Sequence, residues 1–327
     1  MIGCGCGKKM EPNFFDYQYK INCKPSKVCY DISLDSDNNN RGVVYQKCSF
    51  HHYLLSNINF YPSLEVECYQ IKKVQSNNKI ILLYIRNKSL NLSEENLGIV
   101  YSHNYREDLG KIFPLLVDFA ILFKSNIVSY DYTGYGKSGG SPSLIETKSD
   151  IEQVMDFCVN NLKFTIENTV LIGKTLGTFP TLYLAGVPKY VSVKGMILIT
   201  PALGRSFVQG NDKKNYIEEL AKEAMCPCLL IHGTDNKKIP YTDSETISKL
   251  FRRGITWLPK KYGSKIIEQG RSKFYRKVRM FLSHLIVQRN KKIKHELDMT
   301  HESEEANTYL NFEKNQLMFK PELSVSV

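Results

Sequence analysis

Thr169-Val-Leu-Ile-Gly-Lys-Thr-Leu-Gly-Thr178 is the stretch on which the fold of this chain turns. Val170, Leu171 and Ile172 are apolar at consecutive positions, as in a short strand buried on both faces. From Leu176 onward the residues suit a helix. Between the two stands a G-x-T-x-G turn, Gly173-Lys174-Thr175-Leu176-Gly177. A strand that becomes a helix within so few residues holds its central residue in a strained backbone, and flanking glycines let strand and helix approach closely. The turn presents the central side chain, and the Leu176 N–H at the helix start is placed to stabilise negative charge. Here the central residue is threonine, whose β-branch is stiff and fits such a turn poorly.

On the N-terminal side, Leu64–Ile71, Lys79–Ile85, Leu97–Ser102 and Asn126–Tyr132 read as strands, with helices over Leu109–Phe123 and Lys148–Leu162. On the C-terminal side a helix over Thr178–Ala185 is followed by strands Val193–Thr200, Pro227–His232 and Ile255–Leu258. Helices Tyr216–Ala224, Ser244–Phe251 and Arg271–Gln288 alternate with them. This alternation predicts an α/β fold, a mostly parallel central sheet with helices on both faces. Residues 1–62 lack periodic pattern and read as an N-terminal head and linker, with Asp31–Arg41 an exposed loop. Residues 63–297 form the α/β domain, and 298–327 a tail.

Three more segments accompany the elbow: Tyr101-Ser-His-Asn-Tyr-Arg-Glu-Asp-Leu-Gly110, Ser129-Tyr-Asp-Tyr-Thr-Gly-Tyr-Gly-Lys-Ser-Gly139 and Ile231-His-Gly-Thr-Asp-Asn236. Together they resemble the α/β-hydrolase domain-containing 17 family of serine hydrolases over roughly residues 63–290, with Ser129–Gly139 the most specific part. The resemblance implies an α/β-hydrolase fold and kinship with membrane-tethered protein depalmitoylases. Those proteins are acylated on N-terminal cysteines and use a Ser-Asp-His triad in that chain order.

Residue by residue, the resemblance puts the nucleophile at Thr175, the acid at Asn236 and the histidine at Gly263, with Ser264 beside it. Asn104 and Leu176 fall at the oxyanion positions, Asn104 where the family has glycine. Asparagine cannot supply the charge that orients and stabilises an imidazolium. Asp235 would substitute only if its loop shifted. Histidines stand at 51, 52, 103, 232, 284, 295 and 301, and none between 233 and 283, where this fold needs one. A hydroxyl without a base stays protonated at neutral pH. The expectation is a catalytically inactive α/β hydrolase acting as a binding or regulatory module, for acylated proteins or lipids that fit the pocket. Two other readings of Thr175 stay open: a slow nucleophile in a rebuilt acyl thioesterase, and a hydroxyl that contacts a ligand.

The 327 residues are 42% apolar, ample for a buried core, and carry a formal charge of +11, which favours an anionic partner. No nucleic-acid-binding module is recognisable, so that partner is expected to be an anionic membrane surface rather than nucleic acid. Cys4 and Cys6, with Lys8 and Lys9, are expected to form an acylated anchor; the alternative is a head with two free thiols. Arg271 to Lys294 holds nine basic residues and no acidic one, either a solvated face or a second lipid contact. Nine cysteines without a C-x-x-C pair indicate neither disulfides nor a metal, and Cys226 and Cys228 read as inert core. Gly134-Tyr-Gly-Lys-Ser-Gly-Gly140 lacks phosphate-loop spacing, because Asp131 stands where the first glycine belongs, and no cofactor is expected. No apolar run is long enough for a signal peptide or a membrane span, so a cytoplasmic protein, peripheral on membranes, is expected.

Overall fold

A computed structural model describes residues 28–287, apart from 29, 35–44, 53–60, 75, 77, 91–95 and 202–212. Cys4, Cys6 and most of the irregular segment 203–216 therefore lie outside the described residues. Contacts divide the chain into a unit Met1–Tyr275 and a unit Arg276–Val327, whose described part is helical to residue 287.

Among the described residues, the first unit is built on a ten-stranded sheet. The strands are β1 (Asp31–Leu34), β2 (Tyr45–His51), β3 (Leu64–Lys72), β4 (Lys79–Asn87), β5 (Gly98–Ser102), β6 (Asn126–Tyr130), β7 (Thr169–Lys174), β8 (Gly195–Ile199), β9 (Cys228–Ile231) and β10 (Gly254–Trp257). Their order is β1-β2-β3-β4-β6-β5-β7-β8-β9-β10. The first four are antiparallel to their neighbours, and from β6 to β10 every pairing is parallel. Strands β5, β7, β8 and β9 are buried at every residue, which is why they read as continuous apolar runs.

Helices cover both faces. On one side α1 (Leu109–Leu122) sets Phe119 against Tyr101 of β5, with ring centroids 5.8 Å apart. On the other, α2 (Leu144–Asn160), α3 (Thr178–Gly186) and α4 (Lys213–Glu223) share a core with Val100, Val128, Leu171 and Leu198. Asp108 caps α1 by accepting the Lys111 N–H at 2.8 Å. Ser143 caps α2 by accepting the Glu146 N–H at 3.1 Å, so this helix begins four residues before the expected Lys148.

The N-terminal boundary differs from the sequence reading. Strands β1 and β2 lie within residues 1–62, the expected head and linker, and both join the sheet. Tyr30, just before β1, is buried, and its hydroxyl donates to Asp131 Oδ2 at 2.5 Å. The Tyr30 hydroxyl oxygen in turn accepts the Lys137 N–H at 3.1 Å. A Cβ at Gly136 would collide with that carboxylate, so this loop accepts only glycine there. Residues far outside the expected domain thus hold its most recognisable loop in place.

Candidate active site at the carboxyl edge of the sheet

After β5 the chain moves to β6 on one side, then returns to β7 on the other. Loops leaving β5 and β7 therefore diverge, opening a crevice at the carboxyl ends of these strands. Asn104 leaves β5 and Thr175 leaves β7 at that point.

Thr175 has φ 55°, a left-handed backbone that is an outlier for a β-branched residue, and it opens a 3-10 turn, Thr175–Gly177, leading into α3. The flanking glycines are sterically required. A Cβ at Gly177 would overlap the Ser102 carbonyl, and one at Gly173 would overlap the Gly177 carbonyl. The elbow backbone is thus intact. Thr178 donates its hydroxyl to the Thr175 carbonyl at 2.6 Å, but no described side chain hydrogen-bonds the Thr175 hydroxyl itself.

The loops that carry the other two expected triad positions touch each other. Thr234 N–H donates to the Pro259 carbonyl at 3.2 Å and Asp235 N–H to the Tyr262 carbonyl at 2.9 Å. Gly263 sits with Asp235, where an added Cβ would stand 3.5 Å from the Asp235 carbonyl oxygen, an ordinary contact. Asn236 is buried, and its Oδ1 accepts the N–H groups of Lys238 at 3.0 Å and Ile239 at 3.2 Å. Its side chain shapes a turn. Asp235 and Ser264 are exposed.

Every described histidine of this unit is engaged away from Thr175. His51 bonds Ser33, and His52 packs on Phe113. His103 bonds the Asn104 carbonyl through Nδ1 at 2.8 Å and sets Nε2 3.1 Å from Asp131 Oδ1, out of hydrogen-bond alignment. Asp131 is itself pushed up by burial, against the pull of His103. His232 donates from Nε2 to the Ile239 carbonyl at 3.1 Å, and its Nδ1 accepts from the Ser244 hydroxyl at 2.6 Å. Burial lowers its pKa to about 4, so it stays a neutral strut.

Lys174 and Glu107 were not singled out by the sequence. Lys174, beside the elbow threonine, is buried and pairs with Glu107 at 2.7 Å, with Glu268 at 3.9 Å. The other Glu107 oxygen accepts the Asn104 N–H at 3.2 Å. Burial works against the Glu107 charge, but Lys174, His103 and the Asn104 N–H outweigh it and hold the pKa below the usual carboxylate range. A carboxylate therefore occupies the N–H of Asn104, one of the two expected oxyanion positions. Asn104 also keeps a buried Oδ1 without a hydrogen-bond partner. The only hint in the sequence is a lysine inside an otherwise apolar, buried run.

A parallel sheet crossed at this point, a left-handed elbow residue between two obligate glycines, and contact between the loops after β9 and β10 are features of an α/β-hydrolase fold. The chain has the α/β-hydrolase fold and is similar to the α/β-hydrolase domain-containing 17 proteins. Protein 17C of Xenopus tropicalis is 32% identical over 152 residues, covering 44% of this chain and 48% of that protein. Human protein 17B is 28% identical over 198 residues, covering 58% and 66%. The chain spans about half the length of the first of these relatives. No family model matches. Among solved structures, the esterase Pf2001 of Pyrococcus furiosus aligns with TM-score 0.56 at 13% identity over 82% of this chain and 98% of its own. Est1E of Butyrivibrio proteoclasticus aligns with TM-score 0.54 at 17% identity over 65% and 97%.

Proposed function

We propose that this α/β hydrolase binds rather than cleaves, serving as a regulatory module for an acylated protein or a lipid at a membrane surface. The observation that carries this reading is the Thr175 hydroxyl, which has no hydrogen-bonded base among the described residues. Deprotonation of a hydroxyl requires such a base, and loss of a triad member costs orders of magnitude in rate. The Glu107 carboxylate adds to this. It takes the Asn104 N–H, and its charge opposes that of a developing oxyanion.

Membrane contact in this reading comes from acyl chains on Cys4 and Cys6 and from the basic residues between Arg271 and Lys294. No helix among the described residues is long and apolar enough to cross a membrane. Replacing Cys4 and Cys6 by serine should release the protein into the soluble fraction, and unchanged sedimentation with membranes would remove the anchor from the proposal.

A second reading, a working acyl hydrolase that uses Thr175, is favoured by the hydroxyl retained at φ 55°. A fluorophosphonate probe separates the two. The binding module stays unlabelled, whereas labelling that disappears in Thr175→Ala establishes the hydrolase.

A further inference from the structure

Among the described residues, strand β10 ends the sheet and pairs only with β9. The phase of that pairing is set by two bonds: the Arg253 carbonyl accepts from Cys228 N–H at 2.9 Å, and the Trp257 carbonyl from His232 N–H at 3.1 Å. The Pro259 carbonyl likewise accepts from Thr234 N–H at 3.2 Å. Backbone groups alternate in direction along a strand, so residues 253, 255, 257 and 259 face β9. Gly254, Thr256 and Leu258 then direct their N–H and C=O groups outward.

The edge is open. Residues 252–256 are all exposed, including Ile255 at 43%. Natural sheets protect such edges with charge or proline, and here both lie at the ends of the strand, leaving Gly254-Ile-Thr-Trp257 neutral. The charge is also of one sign. Residues 249–261 contain Lys249, Arg252, Arg253, Lys260 and Lys261 and no acidic residue. Arg252, Lys260 and Lys261 are exposed. Two copies meeting edge to edge would bring these cations together, a repulsion reinforced by the net charge of +11.

We propose that β10 is a docking edge for an extended acidic segment of another protein, which adds to the sheet as a further strand. Its backbone would exchange hydrogen bonds with Gly254, Thr256 and Leu258. Its flanking carboxylates would meet Arg252 at one end and Lys260 and Lys261 at the other. This surface does not depend on the chemistry at Thr175.

Trp257 is the only tryptophan in the chain and lies on the strand itself, so its emission reports on this edge. The full chain is titrated with a blocked Val-Thr-Val-Thr peptide carrying acidic residues at both ends, and with the same centre flanked by lysines. The acidic peptide should shift Trp257 emission and slow hydrogen exchange at Gly254, Thr256 and Leu258. The lysine peptide should bind about tenfold or more weakly, the sum of a few exposed charge pairs. Thr256→Pro removes an outward N–H without touching the β9 ladder and should abolish binding. The exposed triple variant Arg252→Glu, Lys260→Glu, Lys261→Glu should reverse the preference between peptides even if the proline variant misfolds. Equal affinity for the two peptides, or amides at these residues that slow on self-association without peptide, would overturn the proposal.

Discussion

The Lys174 ammonium lies 2.7 Å from the Glu107 carboxylate, tying the elbow after β7 to the loop after β5. Both side chains are buried, so neither charge has water to fall back on. Breaking such a pair on one side leaves an uncompensated ion, which costs more than the pair contributes. Glu107→Gln is therefore expected to lower stability by about 3 kcal/mol. The double variant Lys174→Gln, Glu107→Gln should recover much of that loss. Chemical denaturation of the four proteins of the cycle checks this, and additive losses would show that the pair is not coupled.

Glycine positions around the site should behave in opposite ways. A Cβ at Gly177 overlaps the Ser102 carbonyl, a backbone atom that cannot move aside, so Gly177→Ala should cost more than about 3 kcal/mol. Gly263 has room for a Cβ, and Gly263→Ala should stay within about 0.5 kcal/mol of the parent. Thermal melts of the two variants test the contrast.

That room at Gly263 allows the site to be rebuilt. Thr175→Ser, Asn236→Asp and Gly263→His together restore the three residue types of a triad, the last two on loops already in contact. The triple variant should react with a fluorophosphonate probe, and each single variant should not, because triad members act as a unit. Equal labelling of the Thr175→Ser single variant would show that a base is already present.

His232 makes stability depend on mild acid. Burial lowers its folded pKa to about 4, while an unfolded histidine titrates near 6.5. Below about pH 6.5 the unfolded chain takes up a proton that the folded chain refuses, so stability falls as pH drops toward 4. The loss attributable to this residue is on the order of 3 kcal/mol by the end of that window. Urea denaturation from pH 7 to pH 5 should show the slope, and His232→Gln should flatten it.

Tyr30 tests where the folded unit begins. Its hydroxyl donates to buried Asp131 and accepts from Lys137, so Tyr30→Phe should cost about 1–3 kcal/mol. A chain starting at residue 63 loses β1, β2 and Tyr30 together and should not fold cooperatively. A sharp melt of that truncated chain would show that these strands are dispensable.

Local signals carried most of the fold. Strands β5, β7, β8 and β9 are apolar because they are buried on both faces, and the elbow glycines are needed because backbone meets backbone there. Helix starts were less legible. The Ser143–Glu146 capping pair does not stand out as the start of α2, because the apolar period becomes regular only after it. Strand β2 alternates exposed and buried residues only over its second half, and β1 is four residues long, so neither stands out from a loop until β3 pairs with β2.

The sequence by itself determined the elbow, the parallel half of the sheet and the residue types standing at Thr175, Asn236 and Gly263. Each is written in adjacent residues, where sterics and periodicity act locally. Only the tertiary structure decided that Lys174 meets Glu107, that Glu107 takes the Asn104 N–H, and that Tyr30 reaches Asp131. Those partners lie up to 101 residues apart, and no local pattern encodes them. They meet because the strand order returns the chain to β7 beside β5 and brings the segment before β1 over the loop after β6.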